Sequence, residues 1–326
     1  MTRDLARIAG VIYPDPIQVD ECIESMLDTM EKGLKPIRER KTIKNFQFGI
    51  TGTPFFYNEK KGLLIGLDGF IENERELKAD VKNHGLIPGE SQSELVLQAY
   101  ELFDADFLQK IEGSFGLFIF DEARKELLLA RDRIGKKPLY WYHDQKHFIF
   151  GSELKSLIAT GIIPQTFSPD AIAMYLYFGY IPQDLSPIKD VNKLLPANYL
   201  LYSPKKGISI RPYWSYSHFF ERKEDNSAKH VKETIERYLS EAIERQLPST
   251  EGVCSFLSGG IGSATVAYEL SRIAKKSDAY TVYFQGKTES DLEATKIVAS
   301  TLKLPHHIAA ISPANFTANL VETIWA

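Results

Sequence analysis

The sequence predicts a mixed α/β and α+β protein: a layered sandwich of strands and helices, then a parallel-sheet α/β segment. Three observations predict it. Short strand-type runs with few helices fill the first two-thirds of the chain. Ser114–Asp121 is apolar at almost every position, as expected of a strand covered on both faces. After the polar stretch Ser215–Asn226, strands and helices alternate, which implies βαβ units with right-handed crossovers.

In chain order, Leu5–Tyr13, Phe46–Tyr57 and Gly62–Ile71 read as strands. Asn73–His84 reads as a helix capped by Asn73 and stopped at Gly85. Ser91-Gln-Ser-Glu94 opens a second helix with a capping-box pattern. Glu126–Arg131, Leu139–His143 and His147–Phe150 continue the strands, and a helix runs from Ser168-Pro169-Asp170 to Gly179. Tyr199–Ser203 and Ile208–Pro212 flank the turn Pro204–Gly207. Beyond the linker, helix His230–Leu247, strand Gly252–Leu257, a Gly-rich turn and a helix carrying Val266, Ala267 and Leu270 on one stripe are expected. Strand Ala279–Phe284, helix Asp291–Leu302, strand His306–Ile311 and helix Ala314–Trp325 follow.

The 326 residues are 44% apolar and 25% charged, a globular composition with room for two domains. A net charge of −4 supplies no field for nucleic acid or anionic membrane, so neither is an expected partner. The basic stretch Lys35–Lys44 reads as a solvated loop, and no apolar run is long enough to span a membrane. Cys22 and Cys254 match no disulfide or metal spacing, which suits a reducing cytoplasm. Cys254 reads as a small buried residue.

The apolar run Gly252–Leu257 is followed by Ser258-Gly259-Gly260 and a helix start. Such a turn aims backbone N–H groups and a helix N-terminus at one point, a ready anion site. Glycines let the backbone approach phosphates, and the Ser258 and Ser263 hydroxyls add donors. In parallel sheets, ligands sit at this end of the strands.

The loop Leu257–Ser263 resembles the Ser-Gly-Gly-x-Asp-Ser loop of the ATP-pyrophosphatase superfamily, in its asparagine-synthetase branch. The likeness extends to Leu129-Ala-Arg-Asp-Arg-Ile-Gly-Lys-Lys-Pro-Leu-Tyr-Trp141, Phe150–Lys155, Phe178–Pro182, Lys193–Pro196, Pro212-Tyr-Trp214 and His306-His307. The resemblance implies an N-terminal-nucleophile (Ntn) hydrolase-like αββα glutaminase domain at 1–214 and a linker at 215–227. It also implies the first part of a Rossmann-like synthetase domain at 228–326. It further implies ATP and Mg²⁺, with aspartate adenylated and then amidated by ammonia. By resemblance Leu257, Ser258, Gly259, Gly260, Gly262, Ser263 and Val282 contact ATP. Gly262 stands where the family carries a metal-binding aspartate, which weakens metal binding, and Asp291 is the substitute candidate.

In the first domain the resemblance places Ala6 at the nucleophilic cysteine, so no catalytic residue is expected there. Asp68-Gly69-Phe70 replaces the family's Asn-Gly-Glu, and a carboxylate at 68 repels an oxyanion instead of donating to it. Gln92 replaces the aspartate that grips glutamine. Losing a nucleophile alone costs on the order of 10⁶ in rate.

A three-stranded parallel segment ending in a helical pattern leaves surface uncovered, implying a fragment, a homodimer or a partner chain. Three readings follow. One is an asparagine-synthetase-like ATP-dependent amide-forming ligase with a silent glutaminase half. Another is a β-lactam- or lasso-peptide-cyclase-like synthetase that does not use glutamine. The third is a non-catalytic pseudoenzyme or regulatory partner.

Overall fold

Strand alternation builds the first unit, because successive side chains point to opposite faces. The computed structural model describes residues 6–13, 20–31, 37–182, 184–220, 227–247, 252–286 and 290–325. The chain divides into two units, Met1–Glu221 and Arg222–Ala326.

The first unit runs β1 (Arg7–Ile12), α1 (Asp20–Met30), β2 (Arg38–Ile43), β3 (Phe46–Thr51), β4 (Phe56–Asn58) and β5 (Leu63–Ile71). Next come α2 (Glu74–Asn83), α3 (Gln92–Phe103), α4 (Phe107–Lys110), β6 (Gly113–Asp121), β7 (Glu126–Arg131), β8 (Tyr140–His143) and β9 (Phe148–Gly151). It closes with α5 (Leu154–Ala159), α6 (Pro169–Phe178), β10 (Val191–Lys193), β11 (Asn198–Ser203) and β12 (Gly207–Pro212).

Two six-stranded antiparallel sheets result, ordered β10-β8-β9-β1-β3-β2 and β12-β11-β7-β6-β5-β4. Ile8 and Ile12 of β1 pack with Phe48, Leu64, Phe118, Phe120 and Phe150 between the sheets. Ala9 and Val11 face the other way, onto Ile23, Met26 and Leu27 of α1. On β5, Ile65 and Leu67 meet Leu77, Val81 and Leu95 from α2 and α3. The layers are therefore αββα. The Ser114–Asp121 run is buried at every position, as its double cover requires, and only Gly113 at the strand start is half-buried.

Several expectations need correction. Lys35–Lys44 is not a loop throughout: Arg38–Ile43 forms strand β2, which among the described residues is an edge strand paired with β3. Its charges mask the apolar period because an edge strand is blunted by them, and Arg38 pairs with Glu24 and Asp28 of α1 and with Glu31 just beyond it. Lys35 lies outside the described residues. Phe46–Tyr57 is two strands in different sheets, separated at Gly52, whose φ is +86°. Asn73 does not cap α2; its side chain donates to Lys110 O at 2.8 Å and accepts from Glu112 N at 2.8 Å. Ser91 and Ser168 do cap α3 and α6, and Gly179 ends α6 at φ +77°. The helices α1 and α5 and the strand β10 had no clear sequence signal.

The second unit comprises α7 (Ala228–Gln246), β13 (Val253–Phe256), α8 (Ile261–Ile273), β14 (Ser277–Phe284), α9 (Ser290–Thr301), β15 (His306–Ile311), α10 (Pro313–Ala318) and α11 (Leu320–Trp325). Its three strands are parallel in the order β13-β14-β15. Leu257, Ala267, Ala279 and Ala299 form the buried cluster under α8 and α9. The opposite face leaves Phe256, Tyr280, Val282 and Phe284 exposed. Cys254 lies on that face and is exposed, contrary to its apolar-run reading, because nothing described covers it. The expected last helix is two, broken at Asn319, with Ser312 capping the first. Of the expected linker, 221–226 lies outside the described residues.

Candidate functional site

The loop at the end of β13 is fixed from several directions. Leu257 donates its N–H to Tyr280 O at 2.7 Å, and its side chain is 1% exposed, so it anchors the turn instead of facing solvent. Gly259 adopts φ +85°, and a Cβ there would lie 2.9 Å from Asp291 O. Both facts demand glycine. Gly260 is the N-cap of α8 and offers no side-chain cap. Elsewhere Ser91, Ser168, Ser227 and Ser312 cap α3, α6, α7 and α10. The first turn of the 13-residue α8 therefore presents backbone N–H groups and the positive dipole end to whatever occupies the loop.

The hydroxyls are turned inward. Ser263 Oγ donates to Gly260 O at 3.0 Å and accepts from Ser258 N at 3.2 Å. Ser258 Oγ lies 3.1 Å from Ser263 Oγ, and since the Ser263 hydrogen is used, Ser258 is the donor. Gly262 sits second in α8, and a Cβ built on it meets nothing within 4 Å. Val282 is exposed on the open face of β14, and Asp291 is an exposed residue of α9 whose backbone abuts Gly259.

A triphosphate fits this loop by its glycines, uncapped helix start and hydroxyls. A divalent cation does not fit by the same measure: the loop holds no carboxylate, and no three His, Cys, Asp or Glu side chains converge among the described residues.

In the first unit, Ala6 is 1% exposed at the start of β1. Asp68 of β5 is equally buried, and Lys137 Nζ stands 2.9 Å from its Oδ1, with Arg7 Nη1 at 3.6 Å. Burial pushes the Asp68 carboxyl above its usual value, and Lys137, a hydrogen bond from Ser152 and the Arg7 charge only partly oppose this. Arg7 Nε also donates to Glu153 Oε1 at 2.8 Å, and Lys155 lies 3.2 Å from Glu153 Oε2. Five charged side chains, Arg7, Asp68, Lys137, Glu153 and Lys155, are thus linked beside the start of β1.

Gly69 has φ +113°, and a Cβ there would lie 2.0 Å from Ser114 O, so glycine is compulsory. Phe70 beside it is buried. Gln92 is spent on structure: its Oε1 accepts from Ile71 N at 2.8 Å, and its Nε2 donates to Ile71 O at 3.0 Å and Glu74 Oε2 at 2.8 Å. The Arg131–Arg133 run is scaffold. Arg131 donates to the carbonyls of Gly135, Lys137 and Leu194, while Asp132 accepts from the N–H groups of Ile134, Lys136 and Lys137. Sequence reading missed Arg7, Lys137, Glu153 and Lys155 as a cluster. Lysines and arginines far apart in the chain carry no local signal of convergence.

The chain thus combines an antiparallel αββα sandwich with a parallel three-stranded α/β segment. The chain belongs to the glutamine amidotransferase domain family, whose model matches residues 38–214, and residues 234–326 match the asparagine synthase model. It is 24% identical to "Amidase chry2" of Gibberella zeae over 97% of this chain and 50% of that protein. It is 28% identical to the "Putative asparagine synthetase [glutamine-hydrolyzing] 2" of Methanocaldococcus jannaschii over 92% and 57%. The chain thus spans about half the length of the curated relatives it matches. Among solved structures, it is similar to the glutamine phosphoribosylpyrophosphate amidotransferase of B. subtilis, at 12% identity over 93% of this chain and 65% of that one, with a TM-score of 0.47.

Proposed function

We propose that the chain is an ATP-dependent, amide-forming ligase component of the asparagine-synthetase type whose first unit no longer hydrolyses glutamine. The observation that carries the ligase half is the Leu257–Ser263 loop, an uncapped helix start at the carboxyl end of a parallel strand. ATP bound there would supply an adenylate leaving group on a small carboxylate substrate such as aspartate. Backbone N–H groups of the α8 first turn would hold its phosphates, and the Ser258 and Ser263 hydroxyls would exchange their mutual bond for phosphate oxygens. The proposed domains are 1–214, a linker at 215–227, and 228–326.

Ala6 supports the silent glutaminase half, since a methyl group cannot attack an amide. The crowded charges at Asp68, Lys137 and Arg7 support it further. A relative named an amidase is in keeping with amide chemistry.

A second reading, a pseudoenzyme or regulatory partner that holds nucleotide weakly or not at all, is favoured by Gly262. Two measurements decide. Pyrophosphate release from ATP with Mg²⁺, ammonia and a carboxylate panel supports the ligase. Absence of release, together with absence of Mg-ATP binding by calorimetry, leaves the second reading.

A further inference from the structure

Thr281 lies on β14 with its hydroxyl buried, 5% exposed as a residue, directly behind the loop. Its Oγ1 donates to Leu257 O at 2.7 Å and lies 2.8 Å from His306 Nε2 on β15. A hydroxyl has one hydrogen, and a carbonyl can only accept. The hydrogen is committed to Leu257, so His306 must donate from Nε2. Burial, then the charges of His307 and Lys296, hold His306 below its ordinary pKa, so at neutral pH its one ring hydrogen sits on Nε2. His307 points to the other face, where it meets Asp278 at 3.0 Å and stacks on Tyr280.

We infer that Thr281 and His306 are positioning residues for the phosphate loop, acting through the carbonyl of Leu257. The inference rests on the nucleotide-site reading and deepens it. Leu257 is the last fixed residue before the turn, with its N–H bound to Tyr280 O, its carbonyl bound to Thr281 and its side chain in the core. The direction in which the backbone leaves Leu257 sets where Ser258 and the α8 N–H groups point. Without the Thr281 hydroxyl, the carbonyl is a buried acceptor free to rotate, and the His306 donor loses its partner. The loop then samples orientations that do not converge on one anion, and affinity falls as it does when an orienting partner of a site is lost.

The test compares the chain with Thr281→Val, Thr281→Ser, His306→Leu and the double variant Thr281→Val with His306→Leu. Two quantities are read: the Mg-ATP dissociation constant by calorimetry, and amide hydrogen exchange at Leu257 and Ser258. Thr281→Val and His306→Leu should each weaken Mg-ATP about tenfold and speed exchange at both amides. Thr281→Ser should restore both to near parental values, and the double variant should be no worse than Thr281→Val alone, because both cut one chain of bonds. Additive losses in the double variant would indicate two unrelated packing defects and overturn the inference. So would a folded Thr281→Val chain with parental affinity and parental exchange. If the parent binds no nucleotide, the ligase reading fails, and the inference is judged on exchange alone. If Thr281→Val does not fold, His306→Leu carries the same two readouts from a less buried position.

Discussion

Replacing Gly262 by aspartate separates the nucleotide reading from the pseudoenzyme reading. The position is second in α8, its φ lies outside the glycine-only region, and a Cβ has open space. Aspartate is better than glycine in a helix by roughly 0.3 kcal/mol, and a carboxylate in the first turn adds about 0.3–1 kcal/mol. The second unit should therefore gain about 0.6–1.3 kcal/mol, a rise of roughly 3–8 °C in its thermal midpoint at this size. A restored metal ligand should also strengthen Mg-ATP binding by at least about 10–100-fold, or roughly 1.4–2.7 kcal/mol. Calorimetry with ATP in Mg²⁺ and again in EDTA isolates the metal-dependent part, which alone should grow. A variant with a higher midpoint but unchanged Mg-ATP affinity would refute the site, while leaving the helix argument intact. A lower midpoint would refute the open-space argument itself.

Other outcomes follow from the first unit. An Ala6→Cys chain trimmed to begin at residue 6 should release ammonia from glutamine only at background, since Asp68 and the bonded Gln92 remain; turnover above background would sink the scaffold reading. Gly69→Ala should lower the thermal midpoint by roughly 2–12 °C from backbone strain alone, because φ is +113° and Ser114 O stands 2.0 Å from the new Cβ. An unchanged midpoint would contradict that geometry. For Asp144, burial raises the carboxyl, but hydrogen bonds from the His147 side chain and backbone and from Lys146 outweigh it and hold the pKa at about 2. A depressed carboxylate stabilises above its unfolded value near 4 and loses that contribution as pH falls toward about 2. Asp144→Asn should thus lower the midpoint at pH 6 and match the parent at pH 2; an equal difference at both would disprove the linkage.

Much of the fold was legible in residues 114–121 and in the alternation after 227, where burial on both faces or a changing period writes itself into neighbouring residues. The turn at 257–263 was legible because Gly259 adopts a left-handed backbone and lies too close to Asp291 O for a Cβ. Strand β2 was not legible, since its charges exist to protect an edge. Asn73 misled because its side chain satisfies a distant backbone, at Lys110 and Glu112, that no local pattern reveals.

The sequence by itself determined the family resemblance, the bare methyl group at Ala6, the missing side chain at Gly262 and the glycine turn. Each is a statement about which atoms a single position possesses. Only the tertiary structure decided that Arg7, Asp68, Lys137 and Glu153 crowd one buried place, that Gln92 stitches β5 to α2, and that Thr281 joins His306 to Leu257. Sheet register brings such residues together across scores of positions, and register is set by the packing of whole strands. Side-chain identity at each point cannot report it.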